Sequence, residues 1–99
     1  MKPMALREFT IRPSGQCGGP SKVVGSIFRP SNDKETGGSW TCLVTVADDT
    51  GRILTQRSYG EDTLQAISLA VALLDVLVEA YQKQTGLVVE WLGVAYLSL

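Results

Sequence analysis

Residues 62–84 read DTLQAISLAVALLDVLVEAYQKQ, which is the longest apolar-rich run in the chain. No proline or glycine interrupts it. Asp62 can accept a hydrogen bond from the third helical N–H, and Gln65 can reach back to the N–H of the cap, as in a capping box. Gly86 can adopt the left-handed conformation that ends many helices. The sequence therefore predicts one long helix from Asp62 to Gln84 that ends at Gly86.

The apolar residues of this helix cover more of its circumference than one neighbouring layer can bury. The polar side of the helical wheel is narrow and contains Glu61, Gln65, Ser68, Ala72, Asp75, Glu79 and Gln82. The apolar arc is roughly 240°, against the stripe of about 100° that an ordinary surface helix shows. We therefore expect a second cover for the helix, which is the C-terminal tail, another copy of the chain or another protein.

The same run is long enough to be compared with a membrane span. Leu64 to Tyr81 covers 18 residues, which is the lower limit for crossing hydrocarbon. Asp75 lies near the middle, where an acidic residue costs about 3 kcal/mol on insertion scales. No cluster of lysine or arginine flanks the run. The pattern favours the buried helix of a soluble protein, so we expect no membrane.

Composition bounds the class of protein. The 99 residues make one domain, and the 44% apolar and 19% charged fractions are those of a folded chain. The formal net charge of −1 argues against non-specific nucleic-acid binding as the main function. Residues 1–58 carry eight basic and five acidic side chains, and residues 59–99 carry one and five. This asymmetry favours two solvated surfaces over a dipole that docks a partner.

The N-terminal residues and the cysteines bear on the compartment. MKPMALREFTIR lacks the apolar segment of a signal peptide, so we expect a cytoplasmic protein with free thiols. Cys42 alternates with apolar neighbours and is predicted to lie in the core. Cys17 belongs to a glycine-rich loop. The sequence leaves open whether the two cysteines pair.

Alternating apolar residues predict five strands. These strands cover residues 6–12, 22–29, 40–46, 52–59 and 87–92, and polar loops are predicted at 13–20 and 31–38. The residues Asp48 to Gly51 suit a tight hairpin turn in which Gly51 supplies positive φ. Four antiparallel strands followed by a helix give an α+β two-layer domain. A right-handed crossover would place the fifth strand beside the first, in the order 4-3-2-1-5.

The chain offers little catalytic chemistry. It has no histidine, which excludes Ser-His and Cys-His nucleophile pairs and most zinc sites. The loop from Gly15 to Lys22 lacks the residue order of a phosphate-binding loop and precedes a strand. Asp48 and Asp49 are predicted to be turn residues, and Glu90 is predicted to lie on the wet face of an edge strand. We therefore predict no catalytic, cofactor or metal site.

Arginine and threonine residues recur on the predicted strands. Arg7, Arg12, Arg29 and Arg57 would form a basic surface with Thr10, Thr41, Thr45 and Thr55 if their side chains shared the face away from the helix. Trp40 and Phe9 are expected to face the core, which leaves few aromatic residues for stacking on RNA bases. A solvated sheet face is therefore favoured over an RNA-binding one.

One motif resembles a known family. The segment Tyr59-Gly-Glu-Asp-Thr-Leu-Gln-Ala-Ile-Ser-Leu-Ala70, followed later by Glu90-Trp-Leu-Gly93, is similar to a pattern in a family of small bacterial proteins classed as a domain of unknown function. Arg29-Pro30 and Trp40-x-Cys42 fit the same pattern. The resemblance covers about residues 6–93. It implies a fold and a bacterial or phage context, and it implies no activity.

The wide apolar arc and the apolar tail predict a non-enzymatic protein-binding domain, which would be a homodimer and an immunity or inhibitor protein. Its candidate partner surface contains Arg12, Arg29, Arg57, Asp75 and Glu79. Its candidate dimer surface contains Leu69, Val76, Tyr96, Leu97 and Leu99. Two alternatives stay open. One is a ligand-binding protein or enzyme with a pocket between helix and sheet lined by Gln65, Tyr59, Trp40 and Cys42, and the other is an RNA-binding sheet.

Overall fold

The computed structural model describes residues 2–12, 19–33, 38–91 and 94–95. These residues form one sheet packed on one long helix, so the predicted α+β class is confirmed. The elements in chain order are β1 (Ala5–Ile11), β2 (Lys22–Ile27), β3 (Ser31–Asp33), β4 (Ser39–Asp48), β5 (Ile53–Gly60), α1 (Thr63–Thr85), β6 (Val89–Trp91) and β7 (Val94–Ala95).

The sheet is antiparallel throughout. β5 pairs with β4, and the opposite edge of β4 pairs with β2 and, further along, with β3. β1 follows β2, and then come β6 and β7. The order β5-β4-β2-β1-β6 is the order predicted from the sequence, with the strand after the helix lying antiparallel to the first strand.

The helix begins and ends as its sequence predicts. The N–H of Gln65 donates to Asp62 Oδ1 at 2.8 Å, so Asp62 is the N-cap. The Gln65 side chain accepts from the N–H of Glu61, one residue before the predicted partner. Gly86 has φ of 72° and its N–H donates to the carbonyl of Gln82. Each end of the helix is thus capped by residues adjacent to it in the sequence.

The core lies between the helix and one face of the sheet. Its buried apolar members from the strands are Phe9, Ile11, Val23, Ile27, Cys42, Val44, Val46 and Val89. Those from the helix are Ala66, Ala70, Leu77, Val78 and Tyr81. Cys42 is fully buried as predicted, whereas Cys17 lies outside the described residues. Trp40 is half-buried against this core.

Two short strands were not predicted. Residues Ser31–Asp33 belong to the segment predicted as a polar loop, and they pair with Ser39–Thr41 of β4. Val94–Ala95 of the apolar tail pairs with Glu90–Trp91, so β6 lies between β1 and β7 rather than at an edge. Both strands are two or three residues long, too short for an alternating pattern to be visible in the sequence.

The turn between β4 and β5 has the predicted geometry. The N–H of Gly51 donates to the carbonyl of Asp48, and Gly51 has φ of 97°. The N–H of Asp48 donates to the carbonyl of Arg52 at 3.0 Å. A three-residue hairpin loop with a glycine in the left-handed region produces this pattern. It fixes the register of the β4–β5 pair.

Small residues bring the start of the helix close to β5. A Cβ placed on Gly60 would lie 2.5 Å from the backbone nitrogen of Ala66. The hydroxyl of Ser58 donates to the carbonyl of Ala66 at 2.8 Å. Because backbone rather than a flexible side chain lies opposite Gly60, a larger residue there would push the helix away from the sheet.

We predict that Gly60→Ala lowers the free energy of unfolding by about 2 kcal/mol, as overpacking against a rigid neighbour does. Urea denaturation followed by circular dichroism measures this change. Gly19→Ala is the matched control, since no atom lies within 4 Å of a Cβ at that position. Equal stabilities of the two variants would contradict the prediction.

Candidate functional site

The helix exposes two apolar strips on opposite sides. Leu64 is 75% exposed and Val71 54%, and we call this pair the β1-side strip. Val76 is 56% exposed and Leu69 45%, and we call this pair the β5-side strip. Large apolar side chains at these exposures are unusual when they are clustered on one element. The strips are the part of the predicted apolar arc that the described sheet leaves uncovered.

Contacts with the sheet show which side each strip occupies. Ala66 lies against Ser58 and Gly60 of β5. A Cβ on Gly25 of β2 would touch Leu74, which lies on the other side of the buried face. On the helical wheel, Leu69 and Val76 lie on the same side of the buried face as Ala66. The β5-side strip is therefore beside the free edge of β5, and the β1-side strip is over β2 and β1.

A polar band separates the two strips. Gln65, Ser68 and Ala72 are exposed along its middle, and Asp75 and Glu79 are half-buried within it. Lys83 forms an ion pair with Glu79 at 3.4 Å, one helical turn apart. This exposed ion pair adds little stability. The band is continuous, so the predicted polar face of the helix is present. An exposed apolar strip lies on each side of it.

A shallow groove runs between the β1-side strip and the sheet. It encloses about 180 Å³ and is lined by Ala5, Leu6, Arg7, Gly25, Ile27, Val71, Leu74 and Asp75. The guanidinium carbon of Arg7 lies 3.8 Å from the centroid of the Trp91 ring, which holds the Arg7 side chain on the helix side of β1. The groove has an apolar floor with one cationic and one anionic residue at its rim.

The outer face of the sheet carries a second exposed apolar set. Along β5, pleating directs Ile53, Thr55, Arg57 and Tyr59 away from the helix. Ile53 is 61% exposed and Tyr59 54%. Among the described strands β5 pairs with β4 alone, so its other edge is free. The longest free edge of the described sheet is thus bordered by exposed apolar residues on both faces.

A polar cleft lies at the opposite end of the helix. It encloses about 530 Å³ and is lined by Ile11, Arg12, Gly19, Pro20, Ser21, Asp48, Thr50, Arg52, Gln84, Thr85 and Leu87. Its volume is within the range of small-molecule sites, although its lining is more polar than most. Arg12 donates to Glu90 Oε2 at 3.2 and 3.3 Å, so its charge is paired. The guanidinium of Arg52 and the amide of Gln84 could receive a small anionic or polar molecule.

Asp48 forms the base of this cleft. Its Oδ1 accepts from Thr50 N–H and hydroxyl and from the N–H of Arg52, and its Oδ2 accepts from the buried Tyr81 hydroxyl at 2.7 Å. Burial raises the pKa of Asp48, but these hydrogen bonds outweigh it and lower the pKa to about 2. Burial and the Asp48 carboxylate raise the pKa of Tyr81. The carboxylate is therefore ionised and fully engaged, which suits a structural role.

The structure disperses the predicted partner surface. Arg57 lies on the outer face of β5, whereas Asp75 and Glu79 lie on the helix, so the sheet separates them. Arg12 pairs with Glu90, and Arg29 follows β2 in an exposed loop. Of the predicted dimer surface, Leu69 and Val76 lie together on one strip. Tyr96, Leu97 and Leu99 lie outside the described residues.

The structure also shows where the residues of the predicted helix–sheet pocket and of the predicted RNA-binding surface lie. Cys42 is fully buried, and burial raises the pKa of its thiol. Tyr59 faces away from the helix, so the residues proposed to line a helix–sheet pocket do not converge, and the cleft lies at the other end of the helix. Of the four arginines proposed for an RNA surface, Arg57 shares the outer face with Thr45 and Thr55, and Arg7 lies on the helix side.

Two general properties bear on function. The part of the chain that the structure describes contains one helix, Thr63–Thr85, whose length and composition would allow it to cross a membrane. Within the same part of the chain no three histidine, cysteine, aspartate or glutamate side chains are grouped as metal ligands would be. The exposed apolar strips of this helix are therefore the feature that a proposed function has to explain.

These features define a two-layer α+β domain whose apolar surface extends beyond its core. A family model described as Domain of unknown function (DUF6968) matches residues 5–97. The chain therefore belongs to this family, which confirms the resemblance to an uncharacterised family. No curated protein matches the chain, and no solved structure does. The bacterial context stays a prediction.

We predict that Tyr81→Phe lowers the free energy of unfolding by about 1–2 kcal/mol at pH 7, because it removes a hydrogen bond to a buried carboxylate. Hydrogen bonds lower the pKa of Asp48 from its ordinary 3.8 to about 2 in the folded chain. Its contribution to the free energy of unfolding is therefore present above pH 4 and is lost as the pH falls through 2. The variant raises the folded pKa and should lose less stability over that interval. Urea denaturation between pH 7 and pH 2 measures both effects.

Tyr59→Phe is the control for this prediction, since it removes an exposed hydroxyl from the outer face of the sheet. Its stability should equal that of the unmodified chain across the pH range. A Tyr81→Phe variant with the same pH dependence as this control would contradict the assignment of Asp48 as an ionised structural carboxylate.

Proposed function

We propose that this chain is a non-enzymatic protein-binding domain that forms a homodimer and acts on a larger protein, as an inhibitor or immunity protein of a bacterial or phage system. The observation that carries the proposal is the pair of exposed apolar strips on α1. Four large apolar side chains on one helix are between 45 and 75% exposed. Water contact of this kind is unfavourable by about 25 cal/mol per Å², so covering the strips would drive association.

The two strips suit different occupants. The β5-side strip is continuous with the free edge of β5, so a second copy that covered the strip could also meet the edge. The β1-side strip borders the groove between Arg7 and Asp75. A partner protein that inserts an apolar side chain there could place opposite charges against both rim residues. We assign the dimer to the first strip and the partner to the second.

Association with protein accounts for the helix better than insertion into a membrane. The polar band containing Gln65, Ser68 and Asp75 runs between the strips. In a bilayer this band would lie in hydrocarbon, where the charge of Asp75 alone costs about 3 kcal/mol. In a protein interface the band can stay in water at the rim. We therefore propose a cytoplasmic protein with no membrane partner and no nucleic-acid partner.

The polar cleft supports a second candidate function, the binding of a small ligand or its conversion. The specific observation is its volume of about 530 Å³ together with the convergence of Arg52, Gln84 and Thr85 on one opening. The groups present would select a small anionic or polar molecule. The fully engaged Asp48 has no capacity left for acid–base chemistry, so binding is favoured over catalysis.

We predict that the unmodified chain elutes as a dimer in size-exclusion chromatography with light scattering, at about twice 10.7 kDa at micromolar concentration. The double variant Leu69→Glu, Val76→Glu should be a monomer, because it places charge in the centre of the contact. Gln65→Glu, Ser68→Glu on the polar band of the same helix is the matched control and should stay dimeric. An unmodified chain that elutes as a monomer at this concentration would refute the homodimer.

We predict that the β1-side strip is needed to hold the partner protein. Affinity capture from the native host with the unmodified chain should enrich an enzyme or toxin, and Leu64→Glu, Val71→Glu should lose it while staying dimeric. The captured protein is then purified and assayed, and its activity should fall when the domain is added. If no protein depends on this strip, and a small molecule protects the cleft instead, the ligand-binding candidate replaces the proposed function.

A further inference from the structure

We propose that two copies of this chain pair antiparallel along β5, so that their sheets join across a two-fold axis that passes through Gln56. The occupant of the free edge and of the β5-side strip is then the same second copy. This inference rests on the homodimer proposed above and specifies its geometry and register.

The hydrogen-bonding pattern of β4 and β5 shows which groups of the edge are free. The N–H of Asp48 donates to the carbonyl of Arg52, which marks them as a hydrogen-bonded pair. The register continues without a slip, with Val46 opposite Leu54 and each later pair in step. Alternate pairs of an antiparallel ladder exchange hydrogen bonds. Leu54, Gln56, Ser58 and Gly60 therefore bond to β4, and the residues between them direct N–H and C=O outward.

The outward residues are Ile53, Thr55, Arg57 and Tyr59. Together they present four donors and four acceptors along the longest free edge of the described sheet. Apart from Arg57 the strand has none of the devices that protect an edge, such as proline, a bulge or several charges. An edge of this kind is a template for one more antiparallel strand.

Side-chain complementarity selects the register. Pairing centred on Gln56 places Ile53 opposite Tyr59 of the partner subunit, and each such pair is repeated by the two-fold axis. An aromatic residue opposite a β-branched residue is among the favourable cross-strand pairs. The two most exposed apolar residues of β5 would thus cover each other on the outer face of the joined sheet.

Neighbouring registers are less favourable. A shift that centres the pairing on Arg57 places its guanidinium opposite its own copy, and like charges directly opposite are destabilising. A shift that centres it on Thr55 places Ile53 opposite Arg57 of the partner subunit and Tyr59 beyond the end of the partner's β5. Centring on Gln56 places Thr55 opposite Arg57 of the partner subunit and separates the two arginines.

The same axis brings the two helices together. α1 packs over β4 and β5. Strands lie about 4.8 Å apart, so a helix axis midway between β4 and β5 would be about 5 Å from the dimer axis. The two helix axes would then be about 10 Å apart, at the upper end of the packing distance of helices. Leu69 and Val76 lie on the side that faces the partner helix, so the β5-side strip would be buried.

The charges at the helix ends fit this arrangement. The two helices run antiparallel, and Leu69 of one copy meets Val76 of the partner subunit. Lys83 lies as far beyond Val76 as Asp62 lies before Leu69, so Lys83 of each copy approaches Glu61 and Asp62 of the partner subunit. Opposite charges meet at both ends of the helix pair, and the helix dipoles are antiparallel.

Disulfide trapping tests the register. Gln56 lies on the axis in a non-hydrogen-bonded position, where the two Cα atoms are about 4.5 Å apart, within the range that a disulfide bridges. In a Cys17→Ser background, Gln56→Cys is incubated with oxidised glutathione and resolved on a non-reducing gel. We expect more than about half of the chain to run as a covalent dimer, given this match in geometry.

Ile53→Cys is the matched control on the same strand. It is exposed, but its own copy would lie six residues away along the pair, at about 20 Å, so it should stay uncrosslinked. If the unmodified chain is a dimer and Gln56→Cys does not crosslink, this inference is overturned and the homodimer stands. If the unmodified chain is a monomer at micromolar concentration, both are overturned.

Introducing opposite charges at the two facing positions gives a test that does not depend on oxidation. Ile53→Lys alone and Tyr59→Glu alone should each raise the dimer dissociation constant roughly tenfold, by breaking the apolar pairs. The double variant should recover most of the loss, because each new lysine would face a glutamate of the partner subunit. Additive losses in the double variant would overturn the register, since the two positions would then not meet.

Discussion

A single sheet can bury only one face of the helix that packs on it. This constraint governs the whole molecule, because α1 carries apolar residues on most of its circumference while the sheet covers the face that contains Ala66, Ala70, Leu77, Val78 and Tyr81. The small residues Gly60, Ala66 and Ala70 let this face of the helix approach the sheet closely. Apolar side chains on either side of the buried face are then left in water, and the fold by itself offers nothing in the described residues to cover them.

The sequence was sufficient for the elements whose signals are local. The helix and its caps follow from a capping residue, a glycine and an uninterrupted period, all within 25 residues of one another. The strand order follows from a meander of four consecutive strands and the handedness of one crossover. The turn at Gly51 follows from the conformational freedom of that glycine. The family also could be recognised, because its motif lies at the start of the helix.

The remaining features depend on contacts between distant parts of the chain. The sequence predicts Asp48 as a turn residue, which it is, but its hydrogen bond to Tyr81 joins residues 33 positions apart and has no local sequence signal. The cleft above it combines segments from β1, the β4–β5 turn and the end of the helix. Arg7 and Arg57 occupy opposite faces of the sheet, which the prediction of a shared basic surface had left as a condition. β3 and β7 are too short to carry a period.

The two edges of the sheet are unequal, and this limits how the protein can assemble. β5 presents an eight-residue edge, whereas the other side of the described sheet is stepped, because β6 pairs with β1 only at Thr10 and Ile11 and β7 has two residues. If the long edges of two molecules meet, the united sheet ends on both sides in this stepped edge, where the unpaired part of β1 is interrupted by β6 and β7. Addition of a further straight strand is then less favourable there than along β5. The inequality would make the assembly self-terminating and would protect a chain rich in exposed apolar residues from polymerising into fibres.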